Sequence, residues 1–259
     1  MPNLYLFSET EILAFALIFV RILAFVATWP ILGGETVPVP VKILLSLTLS
    51  ICLFPIITMK GLIGTNLGEE IIFLTIKEVV IGLCIGFLTR TVLMTVSVAG
   101  NLMSYAMGLS QAQIFNPGLG SMGNVIEQYQ STLAAIVFLS INGHHYFLMG
   151  MTESFVLAPI SAQGISFAHF QSVANLGQEI IFMGLKMSAP LMIAIFLTNV
   201  AMGIVGRAVP QINVLITSIP VTISIGLLVM FLTIPLFVND MGILVNVVTE
   251  QVFAFMKAL

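Results

Sequence analysis

The chain has 259 residues, of which 59% are hydrophobic and only 7% charged, and its net charge is -3. Soluble domains carry roughly 25% charged residues, so eight Lys+Arg and eleven Asp+Glu cannot cover a water-exposed surface of this size. The composition points to an integral membrane protein or the buried part of a large assembly, built as one helical bundle, and the absence of a basic stripe argues against nucleic-acid binding.

The first element opens at Ser8-x-x-Glu11, a capping box ahead of the apolar run Ile12–Leu32. Glu9 and Glu11 stand where a signal peptide would carry basic residues, so this segment is expected to remain as the first helix. Arg21 sits midway along the run without an obvious local partner. Pro30-x-x-Gly33-Gly34 and Val37-Pro38-Val39-Pro40 then predict a helix stop and a stiff turn, because proline biases its predecessor away from helix. Further apolar runs follow at Val41–Met59 and Ile71–Ala99, the latter announced by Asn66 ahead of Glu69 and Glu70. Cys52 and Cys84 lie inside these runs with no CxxC or metal spacing, and read as small core residues.

Gly100–Gly123 is uncharged yet rich in Gly, Ser, Asn and Gln, and reads as a linker: either a surface loop or a re-entrant, pore-facing segment around a Phe115-Asn116-Pro117 tip. Asn124 ahead of Glu127 starts the next helical stretch, and the run Thr132–Ile160 is one helix or two short ones hinged at Asn142-Gly143. Asn175, ahead of Gln178 and Glu179, predicts another start before Ile180–Gly206, whose one cation is Lys186. The last run, Ile212–Val238, carries no charge. The five unbroken runs each exceed or approach the roughly 20 residues that span a bilayer core as a helix. Nothing alternates polar and apolar residues as a membrane barrel would.

Three stripes repeat every four residues: Glu78, Gly82, Gly86 and Arg90; Asn199, Gly203 and Arg207; Gly100, Ser104, Gly108 and Ala112. Small residues at this spacing let another helix approach closely. They read as packing faces, or, more sharply, as a buried network pairing Glu78 with a cation such as Arg207 or Arg90. The stretch Arg207-Ala-Val-Pro210-Gln211-Ile-Asn213 sets a permanent cation, a proline and two amides between apolar runs. Polar backbone there is costly in lipid unless protein or water surrounds it, which points to a protein-lined polar site. His144-His145 lacks a Glu at zincin spacing and reads as a packed pair at a helix break. Asp240 is the only aspartate, and no GxSxG or phosphate loop occurs, so neither catalytic residues nor a metal or cofactor are expected.

Taken together, an ordered set of landmarks resembles the FliR/SpaR/YscT family of type III secretion export-gate proteins. The set comprises Arg21…Pro30-x-x-Gly33, Val37-Pro38, Glu78-x-x-x-Gly82-x-x-x-Gly86, Gly100…Gly108-Leu109…Asn116-Pro117, and Pro190…Asn199…Arg207…Pro210-Gln211-x-Asn213…Pro220. The flagellar branch is the better match. The resemblance implies an all-α, polytopic fold with a FliP-like part over about 1–175 and a FliQ-like hairpin over about 176–259. It implies a role in the export gate of the bacterial inner membrane, at the base of the flagellum, where unfolded flagellar subunits pass. FliP-like and FliQ-like subunits, an FlhB-like protein and membrane lipid are the implied partners. It also implies a pore plug that takes in Gly108, Gln111, Gln113, Phe115, Asn116, Pro117, Gly118 and Gly120. In such gates the helices form a ring partly above the bilayer, and hydrophobicity does not separate assembly-buried from lipid-facing helices. A secondary transporter is the alternative, since Gly/Pro-interrupted runs with intramembrane charge are its signature; the missing internal repeat speaks against it.

Overall fold

The computed structural model describes residues 8–31, 33–34, 37–59, 71–109, 125–160, 170–211 and 213–257. Among them it has eight helices and no strand: α1 (Glu9–Thr28), α2 (Val39–Met59), α3 (Ile71–Met107), α4 (Val125–Ser140), α5 (Gly143–Leu157), α6 (Phe170–Ala208), α7 (Val214–Leu232) and α8 (Ile234–Lys257). The fold is a polytopic helical bundle. Five stretches are long and apolar enough to cross a membrane: Glu9–Thr28, Val39–Thr58, Ile71–Met107, Gly177–Ala208 and Ile234–Lys257. At 37 and 39 residues, α3 and α6 run to about 55–60 Å at 1.5 Å per residue, well beyond a hydrocarbon core of roughly 30 Å.

The helix ends follow local chemistry. Ser8 and Glu11 make the reciprocal box: Ser8 N donates to Glu11 Oε2 at 2.7 Å and Glu11 N to Ser8 Oγ at 3.3 Å. Pro40 falls in the first turn of α2, where its missing N–H leaves no bond unmade. Asn213 caps α7 by accepting from Ile216 N. Asn142 adopts the left-handed conformation (φ 56°) between α4 and α5, and the two helices meet at 69°. The hinged form of that run is the one observed.

Three boundaries differ from the sequence expectation. Gly100–Met107 is helical and prolongs α3 rather than opening a linker; Gly108, at φ 80°, ends the helix in a conformation suited to glycine. The helix expected to start at Asn175 begins at Phe170, because nothing in Phe-Gln-Ser-Val-Ala breaks a helix. The final uncharged run is not one helix. It is interrupted at Thr233, just before Ile234-Pro235, where proline cannot donate to the helix ladder, and α8 then continues to Lys257.

The helices sort into two compact units that interleave along the chain. The first holds α1, α2, α3 up to Val92, α5, and the end of α8 from Asn246. Its core is aliphatic and aromatic: Leu17, Ile18, Ile22, Phe25, Ile81, Ile85, Phe147 and Phe155 are nearly or wholly buried. Phe15 of α1 meets Phe54 of α2 edge to face at 5.7 Å. The second unit holds the rest of α3, α4, α6 from Asn175, α7, and α8 to Val245. There Met103, Met107, Ile126, Leu191, Ile195 and Met230 form one buried cluster, with Ile223, Ile225 and Val229 packed on it.

Candidate functional site

In the first unit the helix contact is set by glycine. A Cβ placed on Gly82 would strike the Arg21 carbonyl oxygen and lie 2.8 Å from Ala24 Cβ; one on Gly86 would strike Thr28 Oγ1 and lie 2.9 Å from the Phe25 oxygen. Four residues before Gly82, on the same face of α3, stands Glu78. The close approach carries its carboxylate to Arg21. Arg21 Nη2 donates to Glu78 Oε1 at 2.9 Å and Arg21 Nε to Glu78 Oε2, and both residues are fully buried. The partner of Glu78 is therefore Arg21, not Arg207 or Arg90 as the sequence spacing proposed: Arg90, three turns on, is exposed, and so is Arg207.

A third charge joins them. Lys77 is buried beside Glu78, so two cations face one carboxylate. The excess is met by the C-terminal end of α5. Arg21 Nη2 also donates to the Ala158 oxygen at 2.9 Å, and Lys77 Nζ to the Pro159 and Ile160 oxygens at 2.9 and 3.3 Å. These carbonyls lie at and past the last turn of α5, where backbone acceptors lack helical partners and the helix dipole favours cations. Arg21 Nη1 donates to Ser154 Oγ at 3.2 Å, and the Phe155 ring lies under the guanidinium at 4.2 Å. The cluster ties α1, α3 and α5 together with charge and hydrogen bonds closely matched, as a buried ion pair requires.

The second unit presents the opposite case. One face of α6 is packed: Leu191 and Ile195 are in the core, and a Cβ on Gly184 would lie 2.8 Å from Val98 Cγ1. On the open face Asn199, Gly203 and Arg207 are all exposed, and nothing lies within 4 Å of a Cβ built on Gly203. Phe196, Leu197, Val200 and Ile204 around them are exposed as well. The turn to α7 is tight, with Gly206 against Val214, and Pro210, Gln211 and Asn213 stand exposed on it. Among the described residues nothing lines a polar site here.

Sequence spacing missed three features. Lys77 was hidden by its neighbour Glu78. Lys186 Nζ donates to Asp240 Oδ1 at 2.8 Å, joining α6 to α8; Asp240 is buried and Lys186 half exposed. Gln130 of α4 is buried with Nε2 toward Met103 Sδ at 3.1 Å and Oε1 without a partner among the described residues. For Lys77 and Lys186 the available signal was the one that marked Arg21, an ionisable residue inside an apolar run. The segment from Gly100 divides. Gly100 lies against Glu127, where a Cβ would come within 2.7 Å of Glu127 Cα, and Ser104 is buried. Gln111, Ala112, Gln113, Phe115, Asn116, Pro117, Gly118 and Gly120 lie outside the described residues. His144 and His145 stack with ring centroids 4.3 Å apart.

This pattern of buried charge and glycine contact lies within a stretch that matches a known family. The model of the bacterial export proteins, family 1, matches residues 12–247. The chain belongs to that family. It is 31% identical over 222 residues, 84% of each chain, to the flagellar biosynthetic protein FliR of Bacillus subtilis (strain 168). It is 26% identical to the FliR of Aquifex aeolicus (strain VF5), over 91% of this chain and 90% of the other. It is also 26% identical to the FliR of Escherichia coli (strain K12), over 83% of this chain and 82% of the other. The matched span of this export protein takes in the Arg21 cluster, the α6 stripe and the Pro210–Asn213 turn.

Proposed function

We propose that the protein is a core component of the flagellar type III export gate in the bacterial inner membrane. It helps form and close the conduit through which unfolded flagellar subunits leave the cell. The observation that carries this reading is the family match over residues 12–247, joined to FliR relatives aligned along more than four-fifths of their length. The fold supports it: five membrane-length helices retain broad exposed apolar faces, and the α6 face adds an amide and a guanidinium that lipid would not accept. A chain with such faces works with neighbours covering them. FliP-like and FliQ-like subunits and an FlhB-like protein fill that role in this reading, with residues 1–175 FliP-like and 176–259 a FliQ-like hairpin.

Closure is assigned to the uncharged segment Gly108–Gly123. Its Asn, Gln, Ser and Gly residues let diverse peptides slide without holding one charge sign, and Phe115 fills the lumen while Asn116-Pro117 forms the tip. Two measurements test the reading. The tagged chain purified from membranes should bring FliP-like and FliQ-like subunits with it; a well-behaved lone chain unaffected by them refutes the assembly. Deleting Ser110–Leu119 should leave a gate that assembles yet admits ions or a small dye, with Phe115→Ala a milder form. A deleted gate that assembles and stays tight removes the plug role.

A further inference from the structure

At the break between α7 and α8 the second unit holds a small cavity of about 10 Å³. Its walls are Met, Leu, Ile and Phe side chains, with four polar residues among them: Tyr129, Gln130, Thr233 and Asp240. Tyr129 is half exposed. The Thr233 hydroxyl is committed as a donor to the Val229 and Met230 oxygens, at 2.9 and 3.2 Å. Asp240 and Gln130 are buried, at 3% and 4% exposure. Lys186 Nζ donates to Asp240 Oδ1 at 2.8 Å, and no hydrogen bond from a described residue reaches Oδ2. Gln130 Nε2 donates to Met103 Sδ at 3.1 Å, while its Oε1 is buried without a partner among the described residues. A thioether sulfur accepts and cannot donate. Turning the amide over would therefore set oxygen against sulfur, and the orientation seen is the one that uses the nitrogen. A buried amide oxygen left without a donor is costly.

We infer that this cavity is a binding site for one water molecule, which donates one hydrogen to Gln130 Oε1 and the other to the Asp240 carboxylate. Size admits a single water, which needs roughly 10–15 Å³ and two to four polar partners. Chemistry selects it. The open polar atoms of the two buried side chains are both acceptors, so the occupant must carry two donors. A metal cation also suits acceptors, but Lys186 already stands at 2.8 Å from Asp240, and a second positive charge there would be repelled. An ammonium side chain is larger than the space. With the water in place, Lys186, Asp240, Gln130 and Met103 form one continuous network through α6, α8, α4 and α3. The site also has a mechanical consequence. Thr233 and Asp240 flank Pro235, where the helix ladder loses a donor, and the water fastens that first stretch of α8 to α4. None of this depends on the export role.

The test is a cryo-electron-microscopy map of the full chain, purified from membranes with whatever subunits accompany it, at a resolution that shows ordered waters. A single peak should stand about 2.6–3.0 Å from both Gln130 Oε1 and an Asp240 carboxylate oxygen, the span of an O–H···O bond. The same map of Gln130→Met, a side chain of similar length without the amide, should lose that peak while the Lys186–Asp240 pair remains. Four results overturn the inference: no peak; a peak that touches only one of the two residues; a peak at roughly 2.0–2.6 Å from its neighbours, which marks a metal ion; and a Gln130 amide that donates directly to Asp240. A peak that persists undiminished in Gln130→Met also overturns it, because Gln130 would then not be holding the water. Should the Gln130→Met chain fail to accumulate, the map of the unsubstituted chain decides alone.

Discussion

The α3 stripe Glu78-Gly82-Gly86 and the α6 stripe Asn199-Gly203-Arg207 look alike in sequence, yet the chain treats them in opposite ways. On α3 the glycines are already used: α1 backbone fills the space a side chain would need, and the charge is matched by Arg21 with no surface exposed. On α6 the glycine faces open space and the cation is exposed. The spacing rule identifies a face fit for close contact. It does not tell whether the contact is made within the chain or with another one. The difference separates a stabilising device from a docking one, and it is measurable as which property each substitution changes.

The largest effect is expected at the buried pair. Glu78→Ala strands Arg21, and Arg21→Met strands Glu78, each beside Lys77; removing one partner of a buried pair costs roughly 3–5 kcal/mol. Either single variant should lower unfolding stability in detergent and the steady-state level of the chain, before any question of partners arises. The double variant Arg21→Met/Glu78→Leu should cost clearly less than the sum of the singles, because neither member of the pair is left without the other, while Lys77 keeps the Pro159 and Ile160 carbonyls. Additive losses would show that the two residues do not act as a pair.

Next comes the glycine contact. Gly82→Val must push aside the Arg21 backbone, and overpacking of this kind costs roughly 1–3 kcal/mol. Gly203→Ala meets nothing among the described residues, and replacing a mid-helix glycine should leave the lone chain as stable or up to about 1 kcal/mol more so. Equal losses at both positions in a thermal-unfolding assay would erase the distinction between the two stripes.

Much of this was legible in the sequence, for identifiable reasons. The Ser8–Glu11 box and the Asn142-Gly143 hinge depend on local chemistry and were readable as such. The partner of Glu78 was not, because Arg21 lies in another helix and only the depth at which Gly82 and Gly86 bring α1 against α3 selects it over Arg90 or Arg207. Lys186–Asp240 escaped for the same reason, as two isolated charges in separate helices. The Thr233 break was visible in Pro235, but a continuous apolar run across it concealed the signal. Composition correctly gave a membrane bundle, since that depends on totals rather than on pairing.

Lys186→Ala should fall between the two stripes. It removes a half-exposed cation, so solvent already screens the pair and the direct loss is about 1 kcal/mol or less. Asp240 stays buried, and the destabilisation should be relieved by adding Asp240→Asn. A Lys186→Ala loss as large as that of Glu78→Ala would place this pair with the closed cluster.

The smallest effect on the chain itself, and the sharpest test of the comparison, is Arg207→Ala. Arg207 is exposed at the end of α6 with no ion-pair partner among the described residues, and substitutions at such positions usually change stability by within about 0.5 kcal/mol. Unfolding of the isolated chain should therefore be almost unchanged. In the proposed assembly the same guanidinium, set among exposed Phe196, Val200 and Ile204, would be desolvated by a neighbouring subunit and would need a carboxylate or carbonyl there. Arg207→Ala should then reduce the amount of assembled gate and motility while leaving chain stability intact, with Arg207→Lys restoring part of both. Glu78→Ala must show the reverse order, with chain stability failing first. If Arg207→Ala assembles and swims normally, the open stripe is a lipid-facing or solvent-facing surface and the docking role falls. If it destabilises the isolated chain as strongly as Glu78→Ala, the α6 stripe is closed within the chain after all, and the contrast between the two helices disappears.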